Sequence, residues 1–285
     1  MSAIKAQTPG QALSIALSEG QDRLADKDNP AREARLLLAH AAGVDQAGLI
    51  SLGLADFSDA MMERYRGYLD RRAMGEPVSK ILGYRDFWNH RFEVSADVLD
   101  PRPDTETLIA AALEGVAPKR ILDLGTGSGC ILLSLLSEWP QATGVGADLS
   151  DKALAVAARN AESLGVANRA ELILSDWFAA IKGRFDMIVS NPPYISEAEM
   201  RDLSPEVLNH DPRMALTPGG DGLDPYRIIA AGAADHLTEG GRILVEIGWK
   251  QGPDVAAIFR DAGFHDVEIR ADLDGRDRVV LATAG

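Results

Sequence analysis

A doubly wound α/β domain preceded by a small helical one is the fold class that the 285-residue sequence predicts. Three observations carry that prediction. From Arg120 onward, short apolar runs alternate with helix-length amphipathic stretches, as in a parallel sheet covered by helices on both faces. The first of those runs closes on a glycine-rich turn, Gly125-Thr126-Gly127-Ser128-Gly129. Before about residue 80, in contrast, apolar residues recur at helical spacing.

In chain order, Gln11 to Leu24 is the first helix. Asn29-Pro30 is a cap followed by proline at the first helical position; it opens a helix from Ala31 to His40 that Gly43 closes. Ser58 caps a third helix running towards Met74, with Gly75 and Pro77 as its stop. Gly83 to Pro103 changes character, with Phe87-Trp88, Phe92 and Val94 spaced as a β-hairpin connector. Asp104 or Thr105 is then expected to cap a helix through Leu113. Strands are expected at Ile121–Leu124, Thr143–Ala147, Glu171–Leu174, Asp186–Ser190 and Arg242–Glu246. Helices are expected at Cys130–Glu138, Asp151–Leu164, Leu223–Leu237 and Gln251–Ala262. Val267–Arg270 and Arg278–Ala282 pair through Asp274-Gly275, adding an antiparallel edge strand.

Composition narrows the function classes. Apolar residues make up 46% and charged residues 25%, as in ordinary globular proteins. No apolar run approaches the roughly 18 residues of a membrane span, and residues 1–10 lack a signal-peptide core. With one cysteine, Cys130, there is no internal disulfide framework or multi-cysteine metal site, and the five histidines show no metal spacing. A cytoplasmic enzyme without a metal or membrane association is the expectation. The net charge of −14 is uneven: residues 1–80 carry 10 Lys and Arg against 11 Asp and Glu, and residues 81–285 hold nearly all the excess. An acidic main domain disfavours tight binding to a phosphate backbone.

The chemistry concentrates at Ser190-Asn191-Pro192-Pro193-Tyr194. The two prolines end the preceding strand because they cannot donate ladder hydrogen bonds, and Pro192 holds Asn191 in extended backbone geometry. The Asn191 side-chain oxygen and the Pro192 carbonyl then make a fixed pair of acceptors, with the ring of Tyr194 beside them. Such a pair suits a planar NH2 group, whose lone pair is delocalised. Accepting both hydrogens returns density to nitrogen and aims its lone pair. The glycine-rich turn allows close approach of a ligand to backbone, and the helix after it presents its positive end. Asp148, closing the second strand, is placed to accept from two ribose hydroxyls. Dinucleotide and S-adenosylmethionine sites share these features. The dinucleotide fingerprint would need glycine or alanine where Cys130 stands.

Together, Asp123-Leu124-Gly125-Thr126-Gly127-Ser128-Gly129, Asp148, Ser175-Asp176-Trp177 and Asn191-Pro192-Pro193-Tyr194 resemble the motifs of class I S-adenosylmethionine-dependent methyltransferases, with their Rossmann-like sheet. More narrowly, the chain resembles the HemK/PrmC family of protein-glutamine N5-methyltransferases that act on peptide chain release factors. Pro101-Arg102-Pro103-Asp104-Thr105-Glu106 and Gly219-Gly220-Asp221-Gly222-Leu223 extend the likeness over nearly the whole chain. The resemblance implies that Gly125 to Gly129 line the methionine part of S-adenosylmethionine and that Asp148 binds its ribose. It puts Trp177 on the adenine, with Asp176 nearby, and Asn191 by cofactor and substrate. It also implies that Pro192, Pro193 and Tyr194 hold the glutamine amide, with Asn191, Pro192 and Tyr194 catalytic. The domains would be a substrate-recognition domain over 1–80, a hairpin connector over 81–103 and a methyltransferase domain over 104–285. Asp100, where an apolar residue is expected, and Asp211-Pro212, in place of Glu-Pro, depart from the family pattern. Cys130 is expected in the core rather than as a nucleophile, and His210-Asp211 at the surface or substrate rim. The rivals are an amino methyltransferase acting on adenine or guanine in nucleic acid, and a nucleotide-binding regulator without catalysis. The latter leaves Asn191 to Tyr194 without a purpose.

Overall fold

The computed structural model describes residues 6–285, so the expectation for residues 1–10 falls partly, at 1–5, outside the described residues. Contacts divide the chain into two compact units, 1–83 and 84–285.

The first unit is helical: α1 (Pro9–Arg23), α2 (Pro30–Ala42), α3 (Asp59–Ala73) and the short α4 (Val78–Leu82). Side-chain caps start the long helices, since Asn29 accepts from the Arg32 N–H at 3.2 Å and Ser58 from the Met61 N–H at 3.3 Å. On α3 the buried Met61, Tyr65 and Leu69 recur every four residues, which puts them on one face against Leu37 and Leu38 of α2 and Ala12 and Ala16 of α1. Each fully buried leucine here contributes about 1.5–3 kcal/mol. Tyr65 donates to the Ala16 carbonyl at 3.2 Å, and Arg72 pairs with Glu33 at 2.8 Å across α3 and α2. Pro77, expected only as a stop, also opens α4, because proline is suited to the start of a helix.

The second unit begins with the hairpin β1 (Tyr84–Phe87) and β2 (His90–Glu93), paired antiparallel. Then follow α5 (Glu106–Leu113), β3 (Arg120–Leu124), α6 (Cys130–Glu138), β4 (Thr143–Asp148), α7 (Asp151–Ser163), β5 (Ala170–Leu174) and β6 (Phe185–Ser190). The chain closes with α8 (Pro205–His210), α9 (Arg213–Leu216), α10 (Asp224–His236), β7 (Leu237–Glu246), α11 (Gly252–Asp261), β8 (His265–Ala271) and β9 (Asp277–Thr283). The seven-stranded sheet runs β5-β4-β3-β6-β7-β9-β8, parallel throughout its first five strands, with β9 antiparallel to both of its neighbours.

Alternation along the strands feeds two cores. Ile121, Met187 and Leu244 face one side with Leu108, Ile109, Leu132 and Leu136 of α5 and α6. Leu122, Ile188 and Ile243 face the other with Tyr226, Ile229, Val255 and Phe259 of α10 and α11. The hairpin belongs to the first of these cores through Phe87 and Phe92. It is also tied to the sheet domain by Asn160 of α7, which accepts from the Glu93 N–H at 2.7 Å and donates to the Ser128 carbonyl at 2.9 Å. The strand order reverses between β3 and β6. From β3 the chain winds outward to β4 and β5, and from β6 it winds the opposite way to β7. Ligands of such sheets sit at this reversal, beyond the carboxyl ends of the strands.

Candidate active site

Because β3 and β6 are neighbours in register, with Leu124 opposite Ser190, the segments that leave them emerge side by side. The Ser190 hydroxyl donates to the Leu124 carbonyl at 2.7 Å and fastens the two exits together. A cavity of about 330 Å³ opens there, of the size that encloses a small molecule.

One end of the cavity is a backbone cradle. The Gly125 and Thr126 N–H groups both donate to the Ala147 carbonyl, at 2.8 and 2.9 Å, which folds the loop back over β4. Gly125 and Gly127 take φ of +70° and +55°, and a Cβ added at Gly127 would have no protein atom within 4 Å. The loop therefore leaves room where any other residue would place a side chain. Asp148 accepts from the Gly127 N–H at 2.8 Å on one carboxylate oxygen and from the Ser150 N–H at 2.9 Å on the other. It is thus fixed in orientation, and each oxygen keeps a lone pair. Ser175 donates its hydroxyl to the Trp177 carbonyl at 2.8 Å and accepts from the Ala180 N–H at 3.0 Å. That turn holds Trp177 at φ +49°, a strained value for a bulky residue, with its side chain on the cavity wall.

At the other end stands Asn191. Its Nδ2 donates to Thr105 Oγ1 at 3.2 Å, which turns Oδ1 away from Thr105. Pro193, Arg102, Pro212, Met214, Ala215 and Thr217 continue the wall. Arg102 donates to Asp211 at 2.6 Å; that carboxylate is only 1% exposed and also accepts from the Asp100 N–H at 3.4 Å. Both departures from the family pattern, Asp100 and Asp211, thus meet behind the wall. Tyr194 is anchored through its hydroxyl, 3.4 Å from Glu246 Oε1, and through its carbonyl, which accepts from Gln251 at 3.0 Å. Gly222 passes so close beneath that a Cβ there would collide with the Tyr194 carbonyl.

Two buried carboxyls support the site. Asp123 accepts from the Thr126 hydroxyl at 2.6 Å, and burial pushes its pKa up to about 7, with Asp148 adding to the rise. Burial likewise raises Glu246 to about 7, opposed by the neighbouring Thr105 and Tyr194 hydroxyls and by Arg278. Burial also raises the Tyr194 phenol and pushes the Cys130 thiol up to about 12, so both stay protonated at neutral pH.

Of the residues singled out in the sequence, Gly125, Thr126, Gly127, Ser128, Asp148, Asp176, Trp177, Asn191 and Pro193 come together on one cavity. Gly129, Pro192 and Tyr194 are not on its wall. Gly129 instead starts α6 at φ +79°, where a Cβ would press on Leu133 and Ala157. Pro192 is buried, and the Tyr194 ring packs against the α10–α11 core. Cys130, expected in the core, packs against the α5–α6 core and also contributes to the wall. Asp211, expected at the surface or rim, is buried. Neither Asp104 nor Thr105 caps α5 with its side chain, because a single turn of 3-10 helix at Pro103–Thr105 precedes it and Thr105 is itself helical. The Thr105 hydroxyl is committed to Asn191 instead. Sequence reasoning gave no site role to Arg102, Thr105, Glu246 or the 212–218 segment. The signal for the first two was their place in the proline-flanked stretch at 101–106.

A family model described as Methyltransferase small domain matches residues 87–223, and one described as PrmC N-terminal domain matches 16–83. Among solved structures, a methyltransferase from Pyrococcus furiosus aligns with a TM-score of 0.53 at 16% identity, covering 77% of this chain and 98% of that one. A Thermus thermophilus 16S rRNA methyltransferase in complex with AdoMet and guanosine aligns with a TM-score of 0.50 at 20% identity, over 71% and 50%. These two likenesses establish the fold: a class I methyltransferase sheet. Sequence relatives are much nearer. The release factor glutamine methyltransferase of Cereibacter sphaeroides is 55% identical over 90% of this chain and 91% of its own. That of Rhodospirillum rubrum is 45% identical over 98% and 87%, and that of Salmonella typhimurium 41% over 92% and 95%. Identity of this extent, along nearly the full length of both partners, goes well past a shared fold: the chain belongs to the family of release factor glutamine methyltransferases.

Proposed function

We infer that the protein transfers the methyl group of S-adenosylmethionine to the side-chain amide nitrogen, N5, of the glutamine in the Gly-Gly-Gln loop of peptide chain release factors. The observation that carries the chemistry is Asn191, which lines the cavity shared with the glycine cradle while its amide nitrogen is held on Thr105, leaving its oxygen to serve as the acceptor. The family carries the choice of substrate.

The residues present fit the cofactor. Gly127 leaves open space, a Cβ at Gly125 would meet only the Asn191 carbonyl at 4.0 Å, and Asp148 keeps one lone pair on each oxygen for the two ribose hydroxyls. Trp177 offers an apolar face to the adenine, with Asp176 beside it. S-adenosylmethionine supplies a methyl group on a positively charged sulfur. Asn191 Oδ1 accepts one amide hydrogen of the glutamine, and the Pro192 carbonyl, which in the ligand-free chain is not on the cavity wall, is the proposed acceptor of the other; together they localise the lone pair on N5 and direct it at the methyl. Pro193 and Tyr194 keep that segment in place, Tyr194 through Glu246 and Gln251. Transfer leaves the sulfur as the neutral thioether of S-adenosylhomocysteine, and N5, acidic only once the methyl arrives, gives one proton to solvent, so no dedicated base is needed.

A base amine on nucleic acid would satisfy the same acceptors. The acidic second unit opposes a phosphate backbone, whereas a glutamine on an exposed glycine-rich loop brings no backbone charge and needs no base flipping. Direct nucleic-acid binding and membrane association are therefore not part of the proposal, and the reaction belongs in the cytoplasm. Among the described residues no helix is long and apolar enough to cross a membrane. The helical region over 1–80 serves as the substrate-recognition domain, gripping the folded factor behind its loop, with 81–103 as connector and 104–285 as the catalytic domain. Methyl transfer to an intact release factor, to the same loop as a free peptide and to ribosomal RNA tests this. The intact factor should be the best substrate by kcat/KM. Equal rates on peptide and protein would remove the recognition role from the first unit.

A further inference from the structure

We propose that Trp249, in the turn that follows β7, is a docking residue for the methyl-accepting protein and receives the glycine-rich loop beside the entering glutamine. The inference rests on the release-factor reading above and deepens it by assigning where that loop lies on this chain.

Strand order sets the geometry. The residues fitted to the cofactor stand at the exits of β3, β4 and β5, and the acceptor segment stands at the exit of β6. β7 pairs with β6 on the side away from β3, so its exit flanks the acceptor segment on the side that the cofactor residues leave free. No residue of 246–251 is on the cavity wall. A glutamine side chain reaches only a short way from its backbone. Its amide can enter the cavity, while the loop that carries it rests on what stands outside.

The turn outside is bolted to the acceptor segment. The Gln251 N–H donates to the Gly248 carbonyl at 2.8 Å, and the Gly248 N–H donates to Gln251 Oε1 at 2.9 Å, which closes the turn from both sides. Gln251 Nε2 donates to the Tyr194 carbonyl at 3.0 Å. A Cβ added at Gly248 would lie 3.4 Å from Cδ2 of Tyr194, so the turn also rests on that ring. Trp249 and Lys250, between Gly248 and Gln251, are thereby held at a set distance from Asn191 and Pro192.

Central turn positions ordinarily carry Gly, Asn, Asp or Ser. Trp249 stands there instead, 54% exposed, with Lys250 Nζ 4.6 Å from the centroid of its indole. A cation at that distance attracts the ring and limits its swing. An indole fixed in place and half in water is the kind of side chain that anchors protein interfaces. The occupant follows from chemistry. Glycines bring no side chain, so a peptide plane can lie flat on the indole while the Lys250 ammonium meets its carbonyl oxygens. A nucleobase would stack on the same ring, but its phosphates would meet the acidic second unit.

The test is steady-state methylation by the whole protein of an intact release factor and of its loop as a tryptophan-free peptide. Trp249→Ala should raise KM about tenfold or more for both substrates, with kcat and S-adenosylmethionine affinity unchanged, and Trp249→Phe should keep most of the wild-type KM. Should Trp249→Ala fail to fold, iodide quenching decides. The quenchable fluorescence that Trp249→Phe lacks should become protected when the peptide binds. An unchanged KM in Trp249→Ala, a KM that rises for the intact factor alone, or no protection by the peptide would overturn loop docking. So would a loss of ribosomal RNA binding in Trp249→Ala with the factor's KM intact. The two claims fail differently: a wild-type protein that leaves the factor unmethylated sinks the proposed function, whereas normal methylation with the same KM in Trp249→Ala sinks only the docking site.

Discussion

The two ends of the cavity are held by different means. At the Gly125–Ser128 end, position comes from the backbone: two loop N–H groups share the Ala147 carbonyl, and Asp148 is clamped by two more. At the Asn191 end, position comes from side chains brought from far along the chain. Thr105 lies 86 residues away from Asn191, and Glu246 lies 52 from Tyr194. A backbone cradle recognises a ligand that is the same in every turnover. A side-chain network instead sets the polarity and aim of a single reacting nitrogen, which is where rate is decided. Binding and rate should therefore separate when the two ends are altered.

The sharpest break between them is Asn191→Ala. Losing one preorganised acceptor should slow single-turnover transfer about 100-fold or more, with S-adenosylmethionine affinity little changed. If calorimetry shows affinity falling in step with rate, the two ends are not separable. Asp148→Ala is the converse. Removing two hydrogen-bonding oxygens should weaken cofactor binding by about 1.5–3 kcal/mol, with a much smaller effect on the rate at saturation. Unchanged affinity would take Asp148 out of the site.

Gly222→Ala tests the acceptor end through backbone alone. Its φ of +79° and the collision of a Cβ with the Tyr194 carbonyl should cost about 1–3 kcal/mol of stability and lower the rate, leaving cofactor affinity intact. The smallest effect expected is on the pH dependence of stability. Asp123 and Glu246 rise from 3.8 and 4.5 to about 7 on folding, so the folded chain holds these protons more tightly than the unfolded one. Their contribution is complete below the unfolded values and is lost as pH rises towards 7. Thermal melts of the ligand-free protein should show Tm falling by a few degrees between pH 5 and 8, and Glu246→Gln should fall less. A Tm that rises over that range would contradict the burial of these carboxyls.

This difference in construction also decides what the sequence could reveal. The cradle was legible because glycine spacing and a strand-terminal aspartate are local features, and the strands were legible because apolar runs at the centre of a sheet are short and continuous. Asn191-Pro192-Pro193-Tyr194 was legible for the same reason, as proline constrains its own neighbours. Thr105 was not. A threonine ahead of a helix looks like a cap, and only the placement of β6 beside β3 brings Asn191 to it. Glu246 at the end of a run looks like a strand leaving for solvent; pairing of β7 with both β6 and β9 buries it. The helices α8 and α9, of six and four residues, are too short to show a period; α8 is started by the Ser204 cap and buries no residue, and α9 gives Met214 and Ala215 to the cavity wall.

The most direct test of the central claim is to locate the methyl group. An intact release factor is incubated with the protein and S-adenosylmethionine, digested and sequenced by tandem mass spectrometry, alongside ribosomal RNA treated in the same way. One methyl group on the side-chain nitrogen of the glutamine in the Gly-Gly-Gln loop, formed far more slowly with Asn191→Ala and absent from the RNA, is the predicted result. Methylated bases in the RNA with an unmodified factor would contradict it.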